Sequence, residues 1–283
     1  MCAYSALLTL TALLVPNVLA RVDEIRLAVA RHSNCDLVEV DGSTLSRQQF
    51  DAIYRDRMPV MIRNGGDRSF AARATPTELR RRFGETQVTL STGNTASYEK
   101  SVSRFGAHLD TLTTPLAWQQ LQGDAEHIKY HFGDNDVILR TEIDDDSAEW
   151  AHLLARYQLP DYFVSQSEVD AHGSEPKFPF DKHRVAFSFG VAQQFSGVPF
   201  HTHGAVFAEV IHGAKHWMIS EPSHKPSFDG RVTSAKWLLD SERDDSVLHC
   251  TARQGDVLYL PSEWWHSTLN IGDGVNVFLS AFV

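Results

Sequence analysis

Three histidines in the C-terminal third of the chain have the spacing of a metal site. His201 and His203 are separated by one residue in the segment Phe200-His201-Thr202-His203. In a β-strand this alternation places both imidazoles on the same face. His266 follows an apolar segment and a proline turn, which is where a β-barrel would bring a distant strand to the same ion. The pattern predicts a three-histidine metal centre, with three structural histidines as the alternative.

A lysine lies between these two histidine segments. Lys215 begins a predicted strand directly after the tight turn at Gly213. If its side chain points into the barrel, it provides a buried cation suited to the far carboxylate of a dicarboxylic acid. A lysine exposed in a turn is the alternative.

The elements that must position these residues are short strands. From Arg184 onward the apolar segments are short and closely spaced, which indicates a β-sandwich or barrel. The predicted strands cover residues 185–191, 197–203, 207–211, 216–219, 257–260 and 275–283. One long segment, residues 223–249, interrupts them and contains a short predicted helix around residues 237–239. We expect this segment to cover the mouth of the site.

The region before residue 184 is predicted to mix helices and strands. A helix over residues 44–57 is indicated by the capping-box pattern of Ser46 and Gln49. Further predicted elements are a strand over residues 58–63, a helix starting at Thr75-Pro76, a strand over residues 87–90 and a helix over residues 147–157.

The composition is that of an ordinary globular protein. The chain has 283 residues, of which 42% are hydrophobic and 22% are charged. Because no repeat or linker divides it, we expect a single domain over residues 21–283. Its N-terminal part would cover residues 35–180, and its barrel core would begin at about residue 184 and extend to residue 283.

The charge of the chain bears on its partners. The formal net charge is −10, which argues against nucleic acid as a partner, because phosphate binding requires a basic surface. An acidic surface would suit a basic protein or peptide, although a solvated acidic face is the simpler interpretation. We expect a monomer, since no helical dimerisation arm follows the last predicted strand.

The first twenty residues have the features of a signal peptide. They contain no charged side chain, are apolar from Ala6 to Val15, and end in the small-residue segment Val18-Leu19-Ala20. A membrane anchor is the alternative, but Pro16-Asn17 interrupts the apolar stretch, and no later segment is long and apolar enough to cross a membrane. The prediction is a chain that enters the secretory pathway.

Removal of the signal peptide would leave two cysteines, Cys35 and Cys250, in an oxidising compartment. They form either one internal disulfide or two separate thiols, because spacing along the chain does not tell whether their Cα atoms are close.

Several ordered motifs resemble a known family. Phe200 to His203, Gly213 to Trp217 and Gly255 to His266 resemble, in order and spacing, the jumonji C (JmjC) group of iron(II)- and 2-oxoglutarate-dependent oxygenases. The resemblance implies a mainly β fold with N-terminal helices, in which the core is a double-stranded β-helix. It also implies that the three histidines hold Fe(II) and that Lys215 holds 2-oxoglutarate.

The resemblance extends upstream, so that it covers residues 35 to 283. Further matching segments include Pro59 to Arg63 and Ser188 to Gly190. The fuller pattern resembles a member of the family from the lumen of the endoplasmic reticulum, with secretion as the alternative location. Cys35 and Cys250 also match cysteines of that member, which favours the disulfide.

Two positions depart from the family pattern. Most members have a carboxylate at the position of His203, so this site has one negative charge fewer. Val198 occupies the position of a threonine that steadies the cosubstrate. A second resemblance, to the cupins, would add Glu209 as a fourth metal ligand, although alignment of the turn at Gly213 points Glu209 away from the barrel interior.

Two hypotheses follow from these patterns. The first is a lumenal dioxygenase that hydroxylates a protein side chain and uses Fe(II) and 2-oxoglutarate. The second is a non-catalytic interaction or regulatory protein, whose site is degenerate or binds zinc.

Overall fold

Two β-sheets form the framework of the protein. The computed structural model describes residues 23–93, 99–113, 116, 120–121, 128–133, 153, 157–172, 186–240 and 244–283. Its strands are β1 Val38–Asp41, β2 Val60–Arg63, β3 Gln87–Thr92, β4 Lys100–Arg104, β5 Lys129–Phe132, β6 Ala186–Gln193, β7 Gly197–His201, β8 Val206–His212, β9 Ala214–Ser220, β10 Leu248–Arg253, β11 Val257–Leu260, β12 Trp265–Asn270 and β13 Val275–Phe282.

The helices are short and lie mainly in the N-terminal part. They are α1 at residues 23–31, α2 Arg47–Ile53, α3 Arg68–Arg73, α4 Pro76–Phe83, α5 Phe105–Leu112, α6 Gln166–His172 and α7 Ser234–Asp240, with a 3-10 helix at Asp161–Phe163. The caps agree with the sequence pattern. Ser46 and Gln49 form the predicted capping box of α2, and the Thr75 side chain accepts a hydrogen bond from Glu78 at the start of α4.

The last eight strands form a barrel of two four-stranded layers. One layer has the order β11-β8-β13-β6 within a nine-stranded sheet, and the other is the separate sheet β10-β9-β12-β7. Neighbouring strands within each layer are antiparallel. This is the expected double-stranded β-helix. The nine-stranded sheet continues through β2 and β1 on one side and through β5, β3 and β4 on the other.

The two faces of β8 belong to different cores. Val206, Ala208 and Val210 face the barrel interior, where they pack with residues of the opposite sheet such as Trp217. Phe207 and the alternate residues pack instead into the aromatic layer under the N-terminal helices. This alternation follows from the period of two in a strand.

Two strands of the barrel were not among the predicted elements. The strand β12 contains His266, Thr268 and Asn270 on the face that lines an internal cavity. Because this interior face is polar, β12 lacks the apolar alternation by which a strand is recognised. The strand β10 was missed, and its first two residues, Leu248 and His249, lie in the segment 223–249 that was interpreted as a loop with a helix.

The helix of that segment packs on the outside of the barrel. The helix α7 packs through Ala235 and Leu238 against Phe200, Met218 and Leu269, which lie on the outer face of the four-stranded sheet. Among the residues described between 223 and 249, none lines the cavity. That this segment covers the mouth of the site stays a prediction. Apolar burial of α7 against the sheet determines its place.

A disulfide joins the start of the fold to the barrel. Cys35 and Cys250 are bonded to each other across 215 positions of sequence. Beside the bond, the Asp36 N–H donates to the His249 carbonyl at 2.8 Å, and the His249 N–H donates to an Asp36 carboxylate oxygen at 2.8 Å. The segment before β1 is thus attached to β10 by a covalent bond and by two hydrogen bonds.

Some predictions fall on residues that are not described. The predicted signal peptide, residues 1–20, and most of the predicted helix over 147–157 lie outside the described residues. In the part of the chain that is described, none of the helices has the length and apolar character needed to cross a membrane.

Candidate metal centre

The fold brings the three predicted ligands together. His201 ends β7, His266 is the second residue of β12, and the two are direct cross-strand partners. His203 follows β7 by two residues. One ring nitrogen from each of the three imidazoles lies within 4.8 Å of the others, and among the described residues this is the one such group of three potential ligands.

A backbone hydrogen bond holds His203 against the turn that precedes β12. The turn between β11 and β12 contains Glu263, which has a positive φ of 67°. The N–H of Glu263 donates to the His203 carbonyl at 3.0 Å. This bond fixes the backbone of His203 beside the start of β12, so that the imidazole of His203 faces that of His266.

The outer nitrogen of each ring is bonded to a backbone carbonyl. Nδ1 of His201 lies 2.8 Å from the Pro199 oxygen, Nδ1 of His203 lies 2.7 Å from the Gly204 oxygen, and Nδ1 of His266 lies 2.8 Å from the Trp264 oxygen. Because a carbonyl only accepts, each Nδ1 must carry the proton. In the neutral ring Nε2 then presents a lone pair, which is the form that binds a metal.

The Nε2 atoms of His203 and His266 cannot form a hydrogen bond with each other while both rings are neutral. Nε2 of His266 lies 3.0 Å from Nε2 of His203. With both protons on Nδ1, neither Nε2 can donate to the other unless one ring becomes cationic. Burial opposes that charge. It lowers the pKa of His201 to about 4, lowers the pKa of His203, and, with the neighbouring imidazoles, lowers the pKa of His266 well below its usual value.

A divalent cation fits this donor set. Metal–nitrogen bonds of about 2.1 Å place neighbouring ligand nitrogens roughly 3 Å apart, which is close to the observed separation of His203 and His266. Three neutral imidazoles with hydrogen-bonded Nδ1 groups suit Fe(II) and Zn(II) alike.

A cavity of about 270 Å³ adjoins the three histidines. The residues that line it are Tyr130, Phe132, Ser196, Gly197, Val198, His201, His203, Val206, Ala208, Lys215, Trp217, His266, Thr268, Asn270, Phe278, Ser280 and Phe282. Its walls come from both layers of the barrel. It is therefore the barrel interior, and one end of it contains the histidine cluster.

Lys215 extends into this cavity without a carboxylate partner among the described residues. Its side chain is buried, and Nζ lies 3.1 Å from the centroid of the Phe278 ring and 5.7 Å from that of Trp217. Within the described part of the chain it forms an ion pair with no carboxylate. Burial lowers the pKa of Lys215 well below its usual value. An anion in the cavity would compensate the buried charge. The exposed-turn alternative for Lys215 is wrong.

Glu209 is not part of the cluster. It lies on the opposite face of β8 from the cavity and is 1% exposed, and its Oε2 accepts a hydrogen bond from the Tyr157 hydroxyl at 2.6 Å. A Cβ on Gly66 would lie 2.3 Å from Glu209 Oε1, so only glycine fits there. Burial raises the pKa of Glu209 to about 7. The cupin-like interpretation, with Glu209 as a ligand, is therefore wrong.

Several polar residues of the cavity were not singled out from the sequence. Thr268 and Asn270 share the cavity face with His266, and Trp217 shares it with Lys215. The alternation of β12 and β9 was the available signal, since every second residue after His266 or Lys215 must face the same way. For Thr268 and Asn270 this signal was hidden because β12 itself was not recognised.

The fold and the three-histidine cavity define a double-stranded β-helix protein of the JmjC class. A family model described as JmjC domain matches residues 180–282. Human JmjC domain-containing protein 8 is 34% identical over 261 residues, which are 90% of this chain and 86% of the human protein. The mouse protein of the same name is also 34% identical, over 90% of this chain and 85% of its own length. The chain belongs to the JmjC family.

Two weaker similarities span a smaller share of the matched proteins. Lysine-specific demethylase JMJ21 of Arabidopsis thaliana is 25% identical over 82% of this chain, but the match spans 24% of the plant protein. The X-ray structure of E. coli ycfD is similar with a TM-score of 0.47 and 16% identity, over 85% of this chain and 53% of that structure.

Proposed function

We propose that the protein is a JmjC dioxygenase of the secretory pathway that hydroxylates a protein side chain. The observation that carries the proposal is the arrangement of three inward-facing Nε2 atoms beside a buried, unpaired lysine in one cavity. The first feature suits a metal ion, and the second suits an organic anion next to it.

The residues of the cavity have separate tasks in this proposal. His201, His203 and His266 would hold Fe(II), and their carbonyl-bonded Nδ1 atoms keep each ring in the ligating tautomer. Lys215 would bind the far carboxylate of 2-oxoglutarate. Iron with 2-oxoglutarate and dioxygen supplies the oxidation of a C–H bond to an alcohol, with release of succinate and carbon dioxide.

Because His203 stands where most family members have a carboxylate, none of the three proposed protein ligands would neutralise the charge of the metal. A dianionic cosubstrate would be attracted more strongly to this metal than to one with a carboxylate ligand. We therefore expect the three-histidine site to depend on bound 2-oxoglutarate for tight retention of iron.

The location is proposed on two grounds. The features of residues 1–20 indicate a signal peptide, and the disulfide between Cys35 and Cys250 suits an oxidising compartment. We propose the lumen of the endoplasmic reticulum.

A non-catalytic zinc protein is the second candidate. It is favoured by His203, because three neutral imidazoles also form an ordinary zinc site. The two candidates differ in what the cavity does, since only a dioxygenase requires 2-oxoglutarate next to the metal.

The test is an anaerobic titration of the protein with Fe(II) and then with 2-oxoglutarate. A dioxygenase site should give a metal-to-ligand charge-transfer band in the visible spectrum when the ternary complex forms. Lys215→Met should weaken 2-oxoglutarate binding at least about 100-fold, because it removes a charged anchor. Lys100→Met, which removes an exposed lysine from β4, is the matched control and should leave the band unchanged.

Two results would contradict the proposal. Iron that binds without a band on addition of 2-oxoglutarate would favour the non-catalytic candidate. A band that persists at the same 2-oxoglutarate concentration in Lys215→Met would remove Lys215 from the site.

A further inference from the structure

The disulfide between Cys35 and Cys250 has one accessible side and one buried side. Cys250 lies in β10 and is 0% exposed, whereas Cys35 is only partly buried. A surface recess of about 650 Å³ opens beside the bond, and its lining residues are Ser33, Asn34, Cys35, Glu39, Arg63, Asn64, Arg253, Gln254 and Asp256. Cys250 is not among them. A reagent in this recess therefore reaches the sulfur of Cys35 first.

A guanidinium group lies on the buried side of the bond. Nη2 of Arg63 is 4.0 Å from Sγ of Cys250. The remaining contacts of Arg63 fix this position, since its Nε donates to Glu39, and its Nη1 donates to Asp256 and, at 2.9 Å, to the Thr251 carbonyl. A thiolate on Cys250 would accept a charge-assisted hydrogen bond from Nη2.

The access to Cys35 and the position of Arg63 favour the same direction of disulfide exchange. In this reaction a thiolate bonds to one sulfur, and the electron pair of the S–S bond leaves on the other. Attack at Cys35 makes Cys250 the leaving group. A cation within about 4–6 Å lowers the pKa of a thiol, and a thiol of lower pKa leaves faster. Arg63 thus lies where the negative charge develops.

The recess also suits the attacking group. The nucleophile in disulfide exchange is an anionic thiolate. Arg253 and Arg63 both line the recess, so two cations lie near the path of that anion. The carboxylates of Glu39 and Asp256 are bonded to Arg63 and hold it in place.

We propose that the Cys35–Cys250 bond is a thiol–disulfide exchange site that reacts with a dithiol in this recess. One thiolate of the dithiol forms a bond to Sγ of Cys35, and the electron pair of the protein disulfide leaves on Sγ of Cys250. The second thiol then loses its proton to water and displaces Cys35 as a thiolate. The dithiol is oxidised to a disulfide, and the protein disulfide is reduced by two electrons.

Opening the bond changes how the N-terminal segment is attached to the barrel. Two hydrogen bonds between Asp36 and His249 remain beside the opened bond. Ile25 and Ala28 of α1 also stay in the apolar cluster that contains Leu238 of α7. Reduction leaves the segment attached by non-covalent contacts alone. The inference does not depend on the proposed function, because neither exchange step uses the metal centre or its cavity.

The first test measures how fast dithiothreitol reduces the oxidised protein at pH 7, with alkylation of free thiols at each time point. Arg63→Gln should slow the reduction about tenfold, because the leaving thiolate loses its cation. Arg104→Gln is the matched control, since it removes an exposed arginine that is ion-paired with Glu85 far along the chain. It should leave the rate within about twofold of the wild type.

The sign of this change separates the proposal from a structural role of Arg63. If Arg63 only supported the fold through Glu39, Asp256 and Thr251, its loss would loosen the recess, expose the disulfide and speed its reduction. Slower reduction is expected only if Arg63 stabilises the leaving thiolate. Arg63→Lys retains the charge and should recover most of the wild-type rate.

A second measurement locates the attacked sulfur in the wild type, and so applies even if Arg63→Gln does not fold. The protein is treated with glutathione, free thiols are blocked, and the peptides are mapped by mass spectrometry, which also distinguishes Cys2. Glutathione should be attached to Cys35, with Cys250 recovered as a free thiol.

Three results would overturn the proposal. They are glutathione attached to Cys250, a rate of reduction in Arg63→Gln that equals or exceeds that of the wild type, and a wild-type disulfide that reacts with dithiothreitol only in the presence of urea.

Discussion

Two groups of three histidines lie in the described part of the chain, and they differ in where the ring nitrogens are bonded. The second group, His32, His216 and His249, lies near the disulfide. Nε2 of His216 is 3.1 Å from Nδ1 of His249, and Nδ1 of His216 is 3.0 Å from the Thr251 hydroxyl. The ring of His32 stacks on that of His249 at 3.6 Å.

These contacts make the second group a packing unit. Its nitrogens bond to each other and to a hydroxyl, and its rings are stacked, so lone pairs do not converge on a common point. In the cluster of His201, His203 and His266, every Nδ1 is bonded to a carbonyl and the Nε2 atoms face inward. The difference indicates that the bonding of the second ring nitrogen, more than the number of nearby histidines, makes a histidine group suited to bind a metal.

The two histidine groups should differ most in how much a substitution within each of them weakens metal binding. His266→Ala removes one of the three proposed ligands. We expect it to weaken Co(II) binding at least about 100-fold, because loss of a residue that only supports a ligand already weakens metal binding by about 10- to 100-fold. His249→Ala should change it less than about twofold. Titration followed by the visible absorption of Co(II) measures both. Similar losses in the two variants would refute the distinction.

The second group should be visible in the pH dependence of stability. Burial lowers the pKa of His249 to about 4, below its ordinary value of 6.5. As the pH falls, the unfolded chain is therefore protonated at His249 before the folded chain is. The contribution of His249 to stability is complete above pH 6.5 and is lost as the pH falls toward 4.

Replacement of His249 should remove that contribution. In His249→Gln the free energy of unfolding should fall less steeply between pH 6.5 and 4, by about 1.4 kcal/mol per pH unit. Urea denaturation of zinc-free protein at several pH values measures the slope. Parallel curves for the wild type and the variant would show that His249 does not titrate in this way.

The smallest effect is expected at the edge of the second group. Thr251→Val removes the hydroxyl beside Nδ1 of His216 and should lower the free energy of unfolding by about 1 kcal/mol. Co(II) and 2-oxoglutarate affinities should not change. A loss of metal binding in this variant would mean that the two groups are coupled through the four-stranded sheet.

Sequence patterns predicted the barrel better than its lining. The strands β6, β8, β11 and β13 are short, mainly apolar segments and were located within a few residues. The strand β12 was missed because the face of it that lines the cavity carries polar side chains. The same property that makes β12 functional hides it from an apolar pattern.

The roles of individual charged residues required the fold. Lys215 and Glu209 are both buried, and the sequence left either an exposed lysine or a metal-binding glutamate open. The face of the strand on which each residue lies determines what its side chain contacts. Lys215 points into the cavity, whereas Glu209 points into the aromatic layer, where Tyr157 donates to it.

The sequence by itself determined a β-sandwich or barrel and the three candidate ligands His201, His203 and His266 in their order, because the strand pattern and the histidine spacing are local properties of the chain, and the double-stranded β-helix followed from the family resemblance of its motifs. The tertiary structure decided which histidine rings meet, that Cys35 reaches Cys250, and that Thr268 pairs with Trp217 on the same cavity wall as Lys215. These depend on the register between strands distant in sequence, and register is set by the packing of the whole barrel.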